Sequence, residues 1–184
     1  MSLMELIAQA DDRGLAAGGL ACSDRCVPLL GGDDELLRPL WAHLADGSDW
    51  SASLDKARGT LAPAGPGEDE AARLARRMLE AAPAERTGDA VRAWADACSV
   101  ASLLIHRQLD PAVDENTPAD DVDDERAGGP ESVSPLVSAE LRRQILVLEV
   151  LAGHGAHGLR RALDVTVEGR RVLRAVVSRR ERLA

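Results

Sequence analysis

The chain has 184 residues, a formal net charge of −9 and an apolar fraction of 45%. This length suits one domain with a proper hydrophobic core, and the acidic balance excludes a protein that binds polyanions over its whole surface. The longest apolar run, ILVLEVLAG, is interrupted by Glu149 and is too short to cross a bilayer. We therefore expect no membrane span, no signal peptide and a cytoplasmic location.

The composition predicts an all-α fold. The chain has no Phe and no Tyr, and its aromatic residues are Trp41, Trp50 and Trp94. Leu, Ala and Val must therefore fill the core, and Ala and Leu favour helices, whereas strands favour aromatic and β-branched residues. We predict a single compact helical bundle of about five to seven helices.

The first third of the chain is predicted to form short helices. Residues 1 to 3 look like the remnant of an expression vector, so we place the native start at Met4. A helix follows to about residue 12. The paired glycines of LAAGGLA weaken the next segment, and any helix there should end by Cys26 because Pro28 disfavours helical geometry at the residue before it. A further helix is kinked or restarted at Pro39.

Two stronger helices precede an acidic stretch. EDEAARLARRMLEAA is amphipathic, and residues 87 to 109 form the longest predicted helix, nearly apolar all round over residues 98 to 105. Residues 110 to 132 then hold nine acidic residues against one arginine, which is a signature of disorder. We assign residues 4–109 to a helical domain, residues 110–133 to an acidic linker, and residues 134–184 to a C-terminal helical segment that packs on the same core.

The helix predicted for residues 136 to 152 is apolar on nearly every face. It begins at Ser134-Pro135, with a capping side chain followed by proline at the first helical position. Such a helix should keep an apolar flank after packing inside one subunit. We therefore expect a homo-oligomer, in the simplest case a homodimer that buries this flank.

The last 27 residues, 158 to 184, carry eight arginines against three acidic residues. We predict two helices broken near residues 166 to 169, with a hairpin that turns at Glu168-Gly169 as the alternative. Two short helices invite comparison with a helix-turn-helix, although the spacing fits poorly. The candidate contacts to a partner or to nucleic acid are Arg170, Arg171, Arg174, Arg179 and Arg180. Attraction to these arginines is expected to order the acidic stretch.

The sequence offers weak metal candidates. Cys22 and Cys26 have a spacing that zinc-binding pairs use, and His154 and His157 lie in the turn GHGAHG. No second well-spaced ligand pair accompanies the cysteines, and free cysteine also behaves as a small buried hydrophobe. We therefore favour packing, and we expect no bound metal and no cofactor.

Ser102, His106 and Asp110 lie four residues apart and form a candidate catalytic set. Ser102 falls within the apolar stripe of its helix, so we interpret the three as a small core residue, a boundary histidine and a helix end.

Three functions remain open. The first is a non-enzymatic regulatory or protein-interaction module, the second a DNA-binding transcriptional regulator that uses residues 158 to 184. The third is a small helical enzyme or metal protein whose site is assembled from distant residues.

Overall fold

A computed structural model describes residues 1–114, 121–130 and 133–184. Within these ranges the chain forms nine α-helices, two 3-10 helices and no strand, so the all-α prediction is confirmed. The α-helices are α1 (Leu3–Gln9), α2 (Asp12–Arg25), α3 (Arg38–Asp46), α4 (Ser51–Thr60), α5 (Glu70–Glu80), α6 (Gly88–Leu109), α7 (Val122–Ala127), α8 (Pro135–His154) and α9 (Leu159–Leu183). The 3-10 helices are Val27–Leu30 and Gly155–Gly158. The helices outnumber the five to seven expected because several are only two turns long.

Helix α2 lies at the centre of the bundle, where it contacts α6, α8 and α9. It continues through the paired glycines and ends at Arg25, with Cys26 as its C-cap, before Pro28. A Cβ atom at Gly19 would lie 2.6 Å from the ring of Trp94. Glycine is therefore needed here for close packing of α2 on α6, which outweighs its low helix propensity.

Helices α6 and α8 are central, as their apolar sequences predict. One hydrophobic cluster joins residues from both ends of the chain, including Leu15, Leu103, Leu141 and Leu173, which are 0% exposed. Buried residues of α8 and α9 thus belong to the same cluster as those of α2 and α6. None of the described helices is long and apolar enough to cross a membrane.

Residues 2 and 3, which we expected to lie outside the native chain, take part in the fold. The side chain of Ser2 accepts a hydrogen bond from the Glu5 backbone N–H, and Glu5 accepts one from the Ser2 backbone N–H. This capping box satisfies two donors at the start of α1. Leu3 is 1% exposed and belongs to the core.

The predicted break near residues 166 to 169 is wrong, and so is the alternative hairpin. Helix α9 is continuous and, with 25 residues, is longer than α6. The hydroxyl of Thr166 donates to Ala162 O at 2.8 Å within the helix. Gly169 allows α9 to approach Arg25 of α2 and Arg143 of α8, whose side chains would clash with a Cβ atom. The glycine therefore marks a close contact instead of a turn, and α9 contains no helix-turn-helix.

Part of the expected acidic linker is folded. Helix α7 packs against α1 and α6 and buries Val122, Glu125 and Arg126. Glu125 pairs with Arg107, and Arg126 pairs with Asp96. These ion pairs connect α7 to α6, whereas we expected pairing with the arginines of α9. The rest of the linker prediction falls partly on residues 115–120 and 131–132, which lie outside the described residues.

The close contact at Gly19 predicts a change in stability. Gly19→Ala should lower the free energy of unfolding by about 1–3 kcal/mol because the rigid Trp94 ring must move. Gly59→Ala is the control, since a Cβ atom at Gly59 in α4 meets nothing within 4 Å. That change should raise the free energy of unfolding by roughly 0.5–1 kcal/mol. Urea denaturation measures both, and equal effects of the two substitutions would contradict the tight contact between α2 and α6.

Candidate functional site

The interior of the bundle contains a polar cluster around Glu140 of α8. Arg25, the last residue of α2, donates from Nε to Glu140 Oε2 at 2.8 Å and from Nη2 to Oε1 at 2.7 Å. Both side chains are 0% exposed. This bidentate geometry is the strongest arrangement that a guanidinium and a carboxylate can form. A charge pair of this kind therefore lies at the junction of α2 and α8.

Two neutral groups complete the shell of the Glu140 carboxylate. Ser102 of α6 donates from Oγ to Oε1 at 2.7 Å, and Gln144 donates from Nε2 to the same oxygen at 2.9 Å. Gln144 lies one turn after Glu140 on α8 and also accepts from Ser99 Oγ at 2.7 Å. Burial alone would raise the pKa of Glu140, but the charge of Arg25 and the hydrogen bonds from Arg25 and Gln144 lower it to about 2. The carboxylate is therefore ionised inside the core.

His106 occupies the other side of the cluster. Its Nδ1 lies 2.6 Å from Ser102 O, and its Nε2 lies 3.5 Å from Glu140 Oε2. Burial lowers the pKa of His106 more than Glu140 and the Ser102 carbonyl raise it. The ring is therefore neutral, with its Nδ1–H donating to the backbone of its own helix.

The candidate set of Ser102, His106 and Asp110 is not assembled as a catalytic triad. The Ser102 hydroxyl donates to Glu140, and the His106 ring bonds the backbone oxygen of Ser102 instead of its hydroxyl. Asp110 accepts hydrogen bonds from the backbone N–H groups of Ala112 and Leu136, which ties the end of α6 to the start of α8. Ser102 and His106 are 0% and 1% exposed, so no substrate can reach them.

A second polar cluster involves two of the predicted arginines. Arg170 is 5% exposed and donates from Nη1 to Asp24 Oδ1 at 2.5 Å. Arg174 pairs with Asp34 at 2.5 Å, and Asp24 also accepts from the Trp41 indole at 2.9 Å. These two arginines join α9 to α2 and to the segment before α3.

The other three predicted arginines, Arg171, Arg179 and Arg180, are exposed on α9. Arg170 and Arg174 are already engaged inside the protein, so the basic surface available to a partner is smaller than the sequence suggested.

The cysteines and histidines proposed as metal ligands do not come together. Cys22 and Cys26 are buried, free thiols, as is Cys98. Burial raises the pKa of Cys22 to about 12 and raises the pKa of the other two thiols as well. A protonated thiol is a poor ligand and a poor nucleophile. His154 and His157 are exposed at the end of α8, and the described ranges hold no group of three or more His, Cys, Asp or Glu that could bind a metal.

An apolar groove of about 360 Å³ opens to solvent between α5 and α6. Its floor consists of buried Met78 and Trp94, whose indole donates to Met78 O at 2.8 Å. Half-buried Leu74 and Leu104 form its sides. Of its ten lining residues only Arg77 is charged. The groove is therefore a preformed apolar surface with one basic edge.

The flank of α8 expected to mediate a dimer is narrow. Helices α1, α2, α6 and α9 all contact α8. Ile145 and Leu146 remain half-buried on its outer side, between exposed Arg142 and Glu149. The larger apolar opening lies on α6.

Glu140 was missed by sequence reasoning, which singled out Glu149 instead. A signal was present, since Glu140 and Gln144 lie on the same helical face as Val137, Leu141 and Leu148. Polar residues within an otherwise apolar stripe indicate a buried polar contact. Comparison with known proteins finds no matching family model, curated protein or solved structure.

The buried ion pair predicts a large loss of stability when either partner is removed. Arg25→Met and Glu140→Gln should each lower the free energy of unfolding by about 3–5 kcal/mol, because each leaves a buried group without its partner. The double substitution should cost less than the sum of the two. As a control, Arg38→Met removes the exposed Arg38–Glu35 pair and should leave stability nearly unchanged. Urea denaturation of the four variants tests this, and additive costs would mean that the pair is not coupled.

The buried groups His106 and Glu140 also predict how the free energy of unfolding depends on pH. The pKa of His106 lies below its ordinary value of 6.5, so the unfolded chain takes up this proton first as the pH falls. The free energy of unfolding should therefore decrease below about pH 6.5, and His106→Gln should flatten this decrease. Glu140 adds a further loss between its ordinary pKa of 4.5 and about 2. Urea midpoints between pH 7.5 and 5.5 measure the first effect, and higher stability at pH 5.5 would show that His106 is protonated beside Glu140.

Proposed function

We propose that this protein is a non-enzymatic protein-interaction module and that it binds its partner in the groove between α5 and α6. The groove is the observation that supports this proposal. Contiguous exposed apolar surfaces rimmed by polar residues are typical of protein-binding sites. Aromatic residues and Met are enriched at the centre of such interfaces, and Trp94 and Met78 occupy that place here.

The shape of the groove suits a helix as its occupant. Helix α6 exposes Ala93 and Ala97 in successive turns, with half-buried Ala101 and Leu104 beyond them. Small side chains let a second helix approach closely, and the neighbouring Leu and Met side chains supply apolar contacts. Docking of an amphipathic helix into an apolar groove is a recurrent mode of protein recognition.

The other functions find less support. The polar cluster around Glu140 is sealed from solvent, its hydroxyl donates to Glu140, and its imidazole bonds the backbone oxygen of Ser102. Helix α9 has no turn that would present a recognition helix to DNA. A cytoplasmic location belongs to the same proposal, because three free cysteines suit a reducing compartment.

Site-specific photo-crosslinking in cells that produce the full chain tests this proposal. The photoreactive residue p-benzoylphenylalanine at Ala97, which is exposed in the groove, should give a covalent adduct of discrete mass. The same residue at Ala52, exposed on α4, should give none. Adding Leu104→Arg should abolish the adduct, because a guanidinium in the groove is costly to desolvate. Equal adducts from positions 97 and 52, or none from either, would contradict the proposed function.

A further inference from the structure

We infer that the occupant of the groove is helix α6 of a second copy, in a symmetric dimer whose two α6 helices run parallel. This inference rests on the proposed function, because it names the partner that the groove binds. A two-fold interface brings one surface patch against itself, so the patch must be self-complementary in shape and in charge. The charges on the two sides of α6 bear on the second requirement.

The open strip of α6 has a different neighbour on each side. Trp94 contacts α5, while Asp96 and Arg107 pair with residues of α7. At 100° per residue, Ala97 and Leu104 lie between these two edges of the helix. Helices α5 and α7 therefore flank the open strip of α6 on opposite sides, with the groove on the α5 side.

The two flanks differ in charge. On α5, Arg77 lines the groove and is 65% exposed, whereas over the helix the charges of Arg73 and Arg77 are balanced by exposed Glu70 and Glu80. On the other side, Asp96 and Asp123 are 53% and 60% exposed. Both of these acids pair with the single buried guanidinium of Arg126, so one negative charge remains in excess. Exposed Asp121 and Asp124 add to it.

This charge distribution selects one orientation of the dimer. A two-fold axis that runs along α6 places α5 of each copy against the acidic edge of the other. A two-fold axis across α6 would instead place α5 against α5 and the acidic edge against itself. Like charges in direct opposition disfavour the second arrangement. The parallel arrangement is therefore the complementary one.

The positions of the charged residues along the α6 axis also suit the parallel arrangement. A rotation about an axis along α6 leaves the position of every residue along that axis unchanged. Arg77 lies beside Met78, whose carbonyl bonds Trp94, so it lies at the level of Asp96. In the parallel dimer, Arg77 of one copy thus faces Asp96 and Asp123 of the other. Ala97 and Leu104 meet their own symmetry equivalents, which brings the apolar strips together.

Charge-swap variants of the full chain test this inference. Their association is measured by sedimentation velocity at about 50 µM. The unaltered chain should be a dimer. Arg77→Glu and Asp123→Arg should each weaken the dimer by about tenfold or more, because each places like charges in opposition. The double variant should recover most of the affinity. Asp123 is chosen over Asp96 because Arg126 keeps Asp96 as its partner after the change. The swap Glu35→Arg/Arg38→Glu, at an exposed pair outside the groove lining, is the control and should leave the dimer unchanged.

Cysteine cross-linking reports the orientation. In the parallel dimer, Ala93→Cys and Gln108→Cys should each form a disulfide with the same position of the second copy. In the antiparallel arrangement neither should do so alone, because the two positions lie about 22 Å apart along the helix. The unaltered chain is the control, since its three cysteines are buried.

A monomer at this concentration, a dimer indifferent to the charge swap, or failure of both cysteine variants to cross-link would overturn the inference. The outcomes separate it from the proposed function. An adduct from position 97 with a different protein would keep the groove as a binding site and exclude the second copy as its occupant. An adduct with the chain itself supports both.

Discussion

The packing of the bundle depends on the buried ion pair between Arg25 and Glu140. Removing two charges from water is expensive, and only close geometry with further hydrogen bonds offsets the cost. Arg25 comes from the end of α2, Ser102 from α6, and Glu140 from α8, so three helices must meet in one register. A shift of any one of them by a turn would leave a charge or a hydroxyl without its partner. Gly169 extends this constraint to α9, which can lie over Arg25 only because it has no side chain there.

The hydrogen bonds of the same cluster indicate a structural role for the polar residues of the core. Ser102 and His106 are the residue types that hydrolases use, yet here both are committed to Glu140 and to the backbone of α6. Helix α6 is apolar on more than its inner face. That face is mostly apolar and also carries Ser102 and His106, while Ala97 and Leu104 lie on the outer side. The outer alanine and leucine leave an apolar surface in contact with solvent.

Local sequence was sufficient for the helices that have strong periodicity and clear ends. The acidic start and apolar face of α5 predict its bounds, and Pro135 marks the start of α8. Local sequence was insufficient where a residue contacts side chains that are far away in the sequence. Gly169 indicates a turn when it is considered alone, and only the side chains of Arg25 and Arg143, from two other helices, explain it as a close approach. Glu140 was within reach of the sequence, as a polar residue in the apolar stripe of α8, but its partner on α2 was not.

The ion pair and the groove are connected through α6. Ser102 binds Glu140 on one side of the helix, and its neighbours in sequence, Ala101 and Leu104, line the groove on the other. The indole of Trp94 fixes α5 at the opposite wall through Met78 O. Helix α6 is therefore held in one position from inside, so the groove is formed before anything binds to it. Preorganisation removes the entropic cost of ordering the surface on binding. Under the proposed function, charges that no solvent reaches would thus aid recognition, because they hold in place the helix that presents the apolar surface.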